Sequence, residues 1–247
     1  MCFYNSLKYK FLNHRLVVFA FFLIIIPAEA KTRSFRETIY EAYISGDMDL
    51  WERTLKERLT ASLDPEGWYE TAMACYGFIG YCLSREEKAR ARPYLDQAEE
   101  IAGKLLAENP QDPRFVALRG ALYGFRFIYQ PQKIMIIGPK ALNTINRAME
   151  LGPDCPQAWI EAGNKDWWMP AIFGGSRERA VEEYEKAILM IENDRLEIKN
   201  NWYYLNIQMV LAGWYKERNM TFRAREVYRK ILAAEPRFNW ASEMLSE

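Results

Sequence analysis

Residues 224–236 read Ala-Arg-Glu-Val-Tyr-Arg-Lys-Ile-Leu-Ala-Ala-Glu-Pro. Ala224, Tyr228, Ile231 and Pro236 stand at offsets 0, 4, 7 and 12. The same offsets carry Ala98, Ala102, Leu105 and Pro110, and again Ala141, Ile145, Ala148 and Pro153. Ala180, Tyr184 and Ala187 repeat the first three positions, with Glu192 where proline would stand. Steps of four and three residues keep side chains on one face of an α-helix. A proline just beyond that face ends the helix. The four blocks are therefore helices of one kind, and their recurrence makes this a repeat protein.

The residues before two of these blocks supply a partner helix. Leu211, Ala212 and Tyr215 precede the last block, and Gly120 and Tyr123 precede the Ala141 block. Two antiparallel helices approach closely only where one side chain is glycine or alanine. The bulky positions fill the groove against the next hairpin. One hairpin cannot bury both faces, so several must stack. In this register the chain resembles the tetratricopeptide repeat (TPR) family over most of its length. The resemblance implies an all-α fold, a right-handed α-solenoid of about five helical hairpins. The pattern places them at 33–45 with 48–60, 66–83 with 85–108, 112–128 with 139–151, 156–167 with 176–192, and 200–217 with 221–233. Residues 239–246 read as a capping helix, and Pro93 as a kink or restart within the second hairpin.

The chain departs from the family in period. Ala98, Ala141, Ala180 and Ala224 are 43, 39 and 44 residues apart, against a usual repeat of about 34. Two apolar insertions hold much of the excess, Ile128–Pro139 and Trp167–Gly175, each joining the two helices of one hairpin. Apolar side chains are unusual in exposed connections. The second insertion runs through Pro170-Ala-Ile-Phe-Gly-Gly-Ser176. This Pro-x-x-Phe-Gly-Gly-Ser run is similar to one in some exported bacterial TPR-like proteins. It reads as a tight turn with Ser176 capping the next helix, and it lacks the lysine and spacing of a phosphate loop.

The N-terminus has the form of an export signal. Lys8, Lys10 and Arg15 precede eleven apolar residues from Leu16 to Ile26, followed by Pro27-Ala-Glu-Ala30. A basic start, a short apolar stretch and an Ala-x-Ala site form a cleavable leader, and eleven residues fall short of the ~20 needed to span a bilayer. The expected organisation is a leader over 1–30 and one solenoid domain over 31–247, exported to the periplasm or beyond, with no integral span after cleavage.

Composition then bounds the chemistry. The 247 residues carry 33 basic and 33 acidic side chains. Three bases and one acid lie in the leader, so the processed chain has 30 and 32, a net charge of −2. This gives no electrostatic footprint for nucleic acid. The single histidine, His14, leaves with the leader, which removes imidazole from catalysis and from metal sites. No G-x-S-x-G, H-E-x-x-H or dinucleotide-binding pattern is present. The expectation is a protein without enzymatic activity, cofactor or metal. Cys75, Cys82 and Cys155 remain. On one helix, Cys75 and Cys82 would lie about 10.5 Å apart along the axis, too far for a disulfide.

Binding is the remaining function class. The TPR resemblance implies a concave groove lined by the first helix of each hairpin. By register that groove would hold Arg114 in the third unit, Trp159, Asp166 and Trp167 in the fourth, and Asn206, Met209 and Lys216 in the fifth. Aromatic rings with a few charges suit a protein or peptide partner. The architecture is also similar to the TPR-like subunit of TRAP-type transporters, which makes a small-ligand carrier the alternative. A closed pocket between the two insertions would favour the carrier, and an open groove exposing Trp159 and Asn206 the adaptor.

Overall fold

The computed structural model describes residues 33–193 and 198–246. The expected leader over 1–30, with its expected cleavage after Ala30, lies outside the described residues. Those residues are helical and form no strand. Residues 33–247 make one compact unit.

Five hairpins and a terminal helix follow in order. They are α1 (Phe35–Ser45) with α2 (Met48–Arg58), α3 (Pro65–Ser84) with α4 (Lys88–Glu108), and α5 (Pro113–Tyr129) with α6 (Ile134–Leu151). Then come α7 (Pro156–Trp168) with α8 (Arg177–Glu192), α9 (Trp202–Glu217) with α10 (Thr221–Ala234), and α11 (Asn239–Ser246). The expected boundaries hold to within a few residues except at α6. That helix begins at Ile134, so most of the first insertion is helix rather than loop. Pro139 and Pro93 both sit inside helices, each at the sixth position. At that position a proline removes one i→i−4 backbone bond and crowds the carbonyl four residues back, yet both helices run on through it. Of the kink or restart expected at Pro93, the restart does not occur, because α4 runs through it.

The first helix of each hairpin is started by strong local signals. Ser34 and Glu37 form a capping box on α1. Asp64, Asp112 and Asn201 cap α3, α5 and α9 through their side chains. Pro65, Pro113 and Pro156 open α3, α5 and α7, where a missing N–H matters least. The short turns within hairpins use a left-handed residue, namely Gly46, Glu86 and Asn219. The third and fourth hairpins carry the insertions in that place.

Packing follows the repeat register. Ala98, Ala102, Ala141, Ala148, Ala180, Ala187 and Ala224 are all buried. A Cβ on Gly120 would lie 2.7 Å from Ile145 Cγ1, and one on Gly163 would lie 2.5 Å from the Tyr184 ring. Each glycine thus seats the bulky residue of its own hairpin's second helix. Cys75 and Cys82 are buried free thiols, and burial raises the first to about 12 and the second to about 11.

The ends of the solenoid meet. Arg36 Nε donates to Asn200 O at 3.4 Å, Tyr40 OH to Glu235 Oε2 at 3.1 Å, and Tyr43 OH to Asn206 Oδ1 at 3.1 Å. Arg237 pairs with Glu41 at 3.0 Å. Trp202 stands edge-on to Trp51 at 4.9 Å and tilted against Tyr43 at 5.8 Å. Tyr43 also meets Phe238 at 5.1 Å. The inner face of the turn is filled by these rings, together with Tyr76 against Phe125 and Tyr203.

Candidate functional site

Because the first hairpin closes on the last, the middle of the inner face is core and not groove. The space that remains is a funnel of about 790 Å³ at one edge of the closed turn. It is lined at the starts of α1, α3, α5, α7 and α9, by Phe35 and Arg36, Glu66 and Tyr69, Pro113 and Arg114, Pro156 and Gln157, and Trp202 and Tyr203. All five hairpins therefore contribute to it. Such a volume falls within the roughly 300–1,000 Å³ of small-ligand sites.

The walls are mostly apolar, with Ile39, Met73, Ile160, Met190 and Ile191 among them. The rim carries both signs of charge. Arg114 is held by Glu66 and Asp112, each at 2.9 Å, and lies over the Tyr69 ring at 5.0 Å. Glu70 lies on the same rim, and burial raises its carboxyl. Cys155 stands at the start of α7 and faces the funnel. Burial raises this thiol too, so it is not an activated nucleophile.

Beneath the funnel lies a buried polar network. Gln157 Nε2 donates to Glu161 Oε1 at 2.8 Å and to the Tyr203 hydroxyl oxygen at 3.1 Å. Tyr203 OH donates to Glu161 Oε1 at 3.3 Å, and Asn164 Nδ2 to Glu161 Oε2 at 3.0 Å. Asn164 Nδ2 also reaches the Tyr76 hydroxyl oxygen at 3.3 Å, and Tyr184 OH donates to Asn164 Oδ1. Residues of α3, α7, α8 and α9 are thereby tied together. Glu161 is buried, and desolvation raises its carboxyl to about 7 although four neighbours hydrogen-bond to it. The network lies behind Gln157 and Tyr203, which are the members that reach the funnel. Among the described residues, no three potential metal-ligating side chains come together.

The residues expected to line a groove are scattered. Arg114 alone of them lines the funnel. Trp159 is half-buried, donates to Pro153 O at 2.7 Å and has Lys186 Nζ over its ring at 3.5 Å. Asn206 is occupied by Tyr43, and Met209 is buried. Lys216 is exposed in the last turn of α9. Trp167 stacks on Trp214 at 4.2 Å with Arg177 over it. Asp166 is buried between Arg179 and Lys165. Arg179 also donates to Gly174 O, fastening the second insertion. Gly174 is left-handed at φ 95°, and Ser176 accepts from Arg179 N at 3.3 Å, so the Gly-Gly-Ser run is a capped turn. A smaller recess of about 430 Å³ lies between this insertion and Arg218, and it does not reach residues 128–139. The funnel residues that sequence reasoning missed, Arg36, Tyr69, Gln157 and Tyr203, lie near helix starts. The prolines and caps that open those helices were the available signal.

By sequence, no family profile and no curated protein matches the chain. Solved structures do match. A thermophilic TPR protein of Thermus thermophilus is 19% identical, with a TM-score of 0.50, over 84% of this chain and 91% of that one. The HusA haemophore of Porphyromonas gingivalis is 17% identical, with a TM-score of 0.48, over 76% of this chain and 96% of that one. At such identity the first likeness establishes the fold, a TPR-like helical solenoid.

Proposed function

We propose that this chain is an exported, non-catalytic binding protein that takes a short peptide segment in its funnel. The observation that carries this reading is the funnel itself, a recess to which all five hairpins contribute, with apolar walls and a rim of both charges. Apolar walls suit one or two peptide side chains. Arg36 and Arg114 with Glu66 and Glu70 suit the polar groups of a peptide end. A free small molecule is the second reading, favoured by the volume of about 790 Å³.

Both readings place the ligand at the same wall, so one variant tests the site. Met190 is half-buried and lines the funnel, so Met190→Trp adds bulk there without entering the core. Titration with a panel of short peptides, followed by calorimetry, is expected to show saturable binding that Met190→Trp weakens by about tenfold, or 1.4 kcal/mol. Equal binding by both proteins would remove the funnel from consideration. Binding of compounds from the native envelope, but of no peptide, would select the small-molecule reading.

Export makes a separate prediction. Protein recovered from an expressing double-membrane bacterium is expected to begin at Lys31, as read by N-terminal sequencing. An intact Met1 on the mature protein would reject the leader. Among the described residues, no helix is long and apolar enough to cross a membrane.

A further inference from the structure

The funnel occupies the edge where each hairpin hands over to the next. The two insertions occupy the other edge, where α5 turns into α6 and α7 into α8. At about 1.5 Å per residue an 18-residue α6 separates the two edges by roughly 27 Å. The insertions are on adjacent hairpins, and they expose large apolar side chains. Met135 is 84% exposed, Ile134 and Ile136 more than half, Trp168 76%, Ile172 85% and Phe173 69%. These rings and branched chains make an apolar crown on a protein that otherwise buries most of its aromatic residues. Large apolar side chains exposed on two neighbouring hairpin tips mark an interaction surface.

The charge beside the crown says what covers it. From Pro113 to Met149 there is no acidic residue, and six cations stand in that stretch: Arg114, Arg119, Arg126, Lys133, Lys140 and Arg147. Arg114, Arg126 and Arg147 are matched by carboxylates, Arg126 in the last turn of α5 by Asp96 and Glu99. Lys133 and Lys140 flank Ile134–Ile136, and both are exposed. Exposed Ile134, Met135 and Ile136, edged by two lysines with no acid between them, and exposed Trp168, Ile172 and Phe173 on the neighbouring hairpin match a bilayer interface. Apolar side chains enter the acyl boundary, tryptophan sits at headgroup depth, and lysines meet anionic headgroups. We propose that this crown docks the protein peripherally on an anionic bilayer surface, with Ile134–Ile136, Trp168, Ile172 and Phe173 inserted and Lys133 and Lys140 on lipid phosphates. In that pose the funnel edge points away from the membrane. The two apolar insertions, which lengthen the repeat and leave these side chains exposed, thereby acquire a role.

The test uses the processed chain from Lys31, so that the leader cannot bind lipid in its place. It holds the whole compact unit. Co-sedimentation is measured with phosphatidylcholine vesicles, with and without about 30% phosphatidylglycerol. The unaltered protein is expected to partition about tenfold more strongly onto the anionic vesicles, and less so as salt rises. The pair Met135→Ser with Ile136→Ser, and the pair Ile172→Ser with Phe173→Ser, are each expected to lower partitioning by about tenfold. Lys133→Glu with Lys140→Glu is expected to remove the preference for anionic lipid. All these residues are exposed, so unchanged thermal melts will show that the variants fold. Equal partitioning by the unaltered and serine variants would overturn the proposal. So would a dimer, seen by sedimentation velocity, that the same serine pairs dissolve, because a second copy would then cover the crown.

Discussion

Trp202→Ala is expected to lower the unfolding free energy by about 3–5 kcal/mol, the range for removing a large aromatic residue from a core. Trp202 is buried and joins elements far apart in sequence. Its ring meets Trp51 at 4.9 Å, Tyr203 at 5.3 Å and Tyr43 at 5.8 Å. Its six-membered ring also covers Gly77, where a Cβ would lie 2.5 Å from Trp202 Cη2. Removing the ring takes away the surface on which the first hairpin closes. The hydrogen bonds of Tyr40 and Tyr43 and the Arg237–Glu41 pair then have to hold that closure. Exposed or partly exposed pairs of this kind contribute only about 0–1 kcal/mol each, so they do not replace the indole. The expected signature is a lower urea midpoint with earlier amide exchange across 35–58 than across α7 and α8. Phe222→Ala, at a residue 71% exposed, is the control and should stay within about 0.5 kcal/mol. A Trp202→Ala loss no larger than that control would mean that closure does not depend on this ring.

The closure also marks where sequence reasoning stops. The hairpins were legible because the small and bulky positions recur with local spacing. Gly120 under Ile145 and Gly163 under Tyr184 are the contacts that the spacing implies. No local period links Tyr43 to Asn206, or Tyr40 to Glu235, which are 163 and 195 residues apart. Groove positions transferred from an open solenoid therefore fell on residues that the closed turn uses internally, such as Met209, Asn206 and Trp167. Arg114 kept a place at an opening because it lies in the first turn of its helix. A clue was nonetheless present. Tyr43, Tyr76, Phe125, Trp202 and Tyr203 put a ring on the inner side of four of the five first helices, more apolar bulk than an open groove requires. The exposed insertions were legible as anomalies, since their apolar content conflicts with the usual polarity of loops.

Glu161→Gln is expected to raise stability at alkaline pH and to flatten its dependence on pH. The carboxyl is buried among Gln157, Asn164, Tyr76 and Tyr203, and desolvation raises its pKa to about 7. In the unfolded chain a glutamate titrates near 4.3. The folded state thus holds a proton that the unfolded state releases. The contribution of this neutral carboxyl is complete below about pH 4.3 and is lost as pH rises through 7. Between those limits the loss is on the order of 3 kcal/mol. An amide has the same shape and no charge to bury. Its N–H groups require acceptors, which the tyrosine hydroxyls and a turned Gln157 can supply, so part of the gain is offset by about 1 kcal/mol. At pH 8 the variant should exceed the unaltered protein by about 2 kcal/mol, and at pH 4 it should not exceed it at all. Glu183, raised to about 7 by burial and then by Asp166, will leave a residual slope in both proteins. Urea midpoints at the two pH values read the difference directly. If the two proteins lose stability equally between pH 4 and pH 8, Glu161 is ionised in the folded state and the network binds it as a carboxylate.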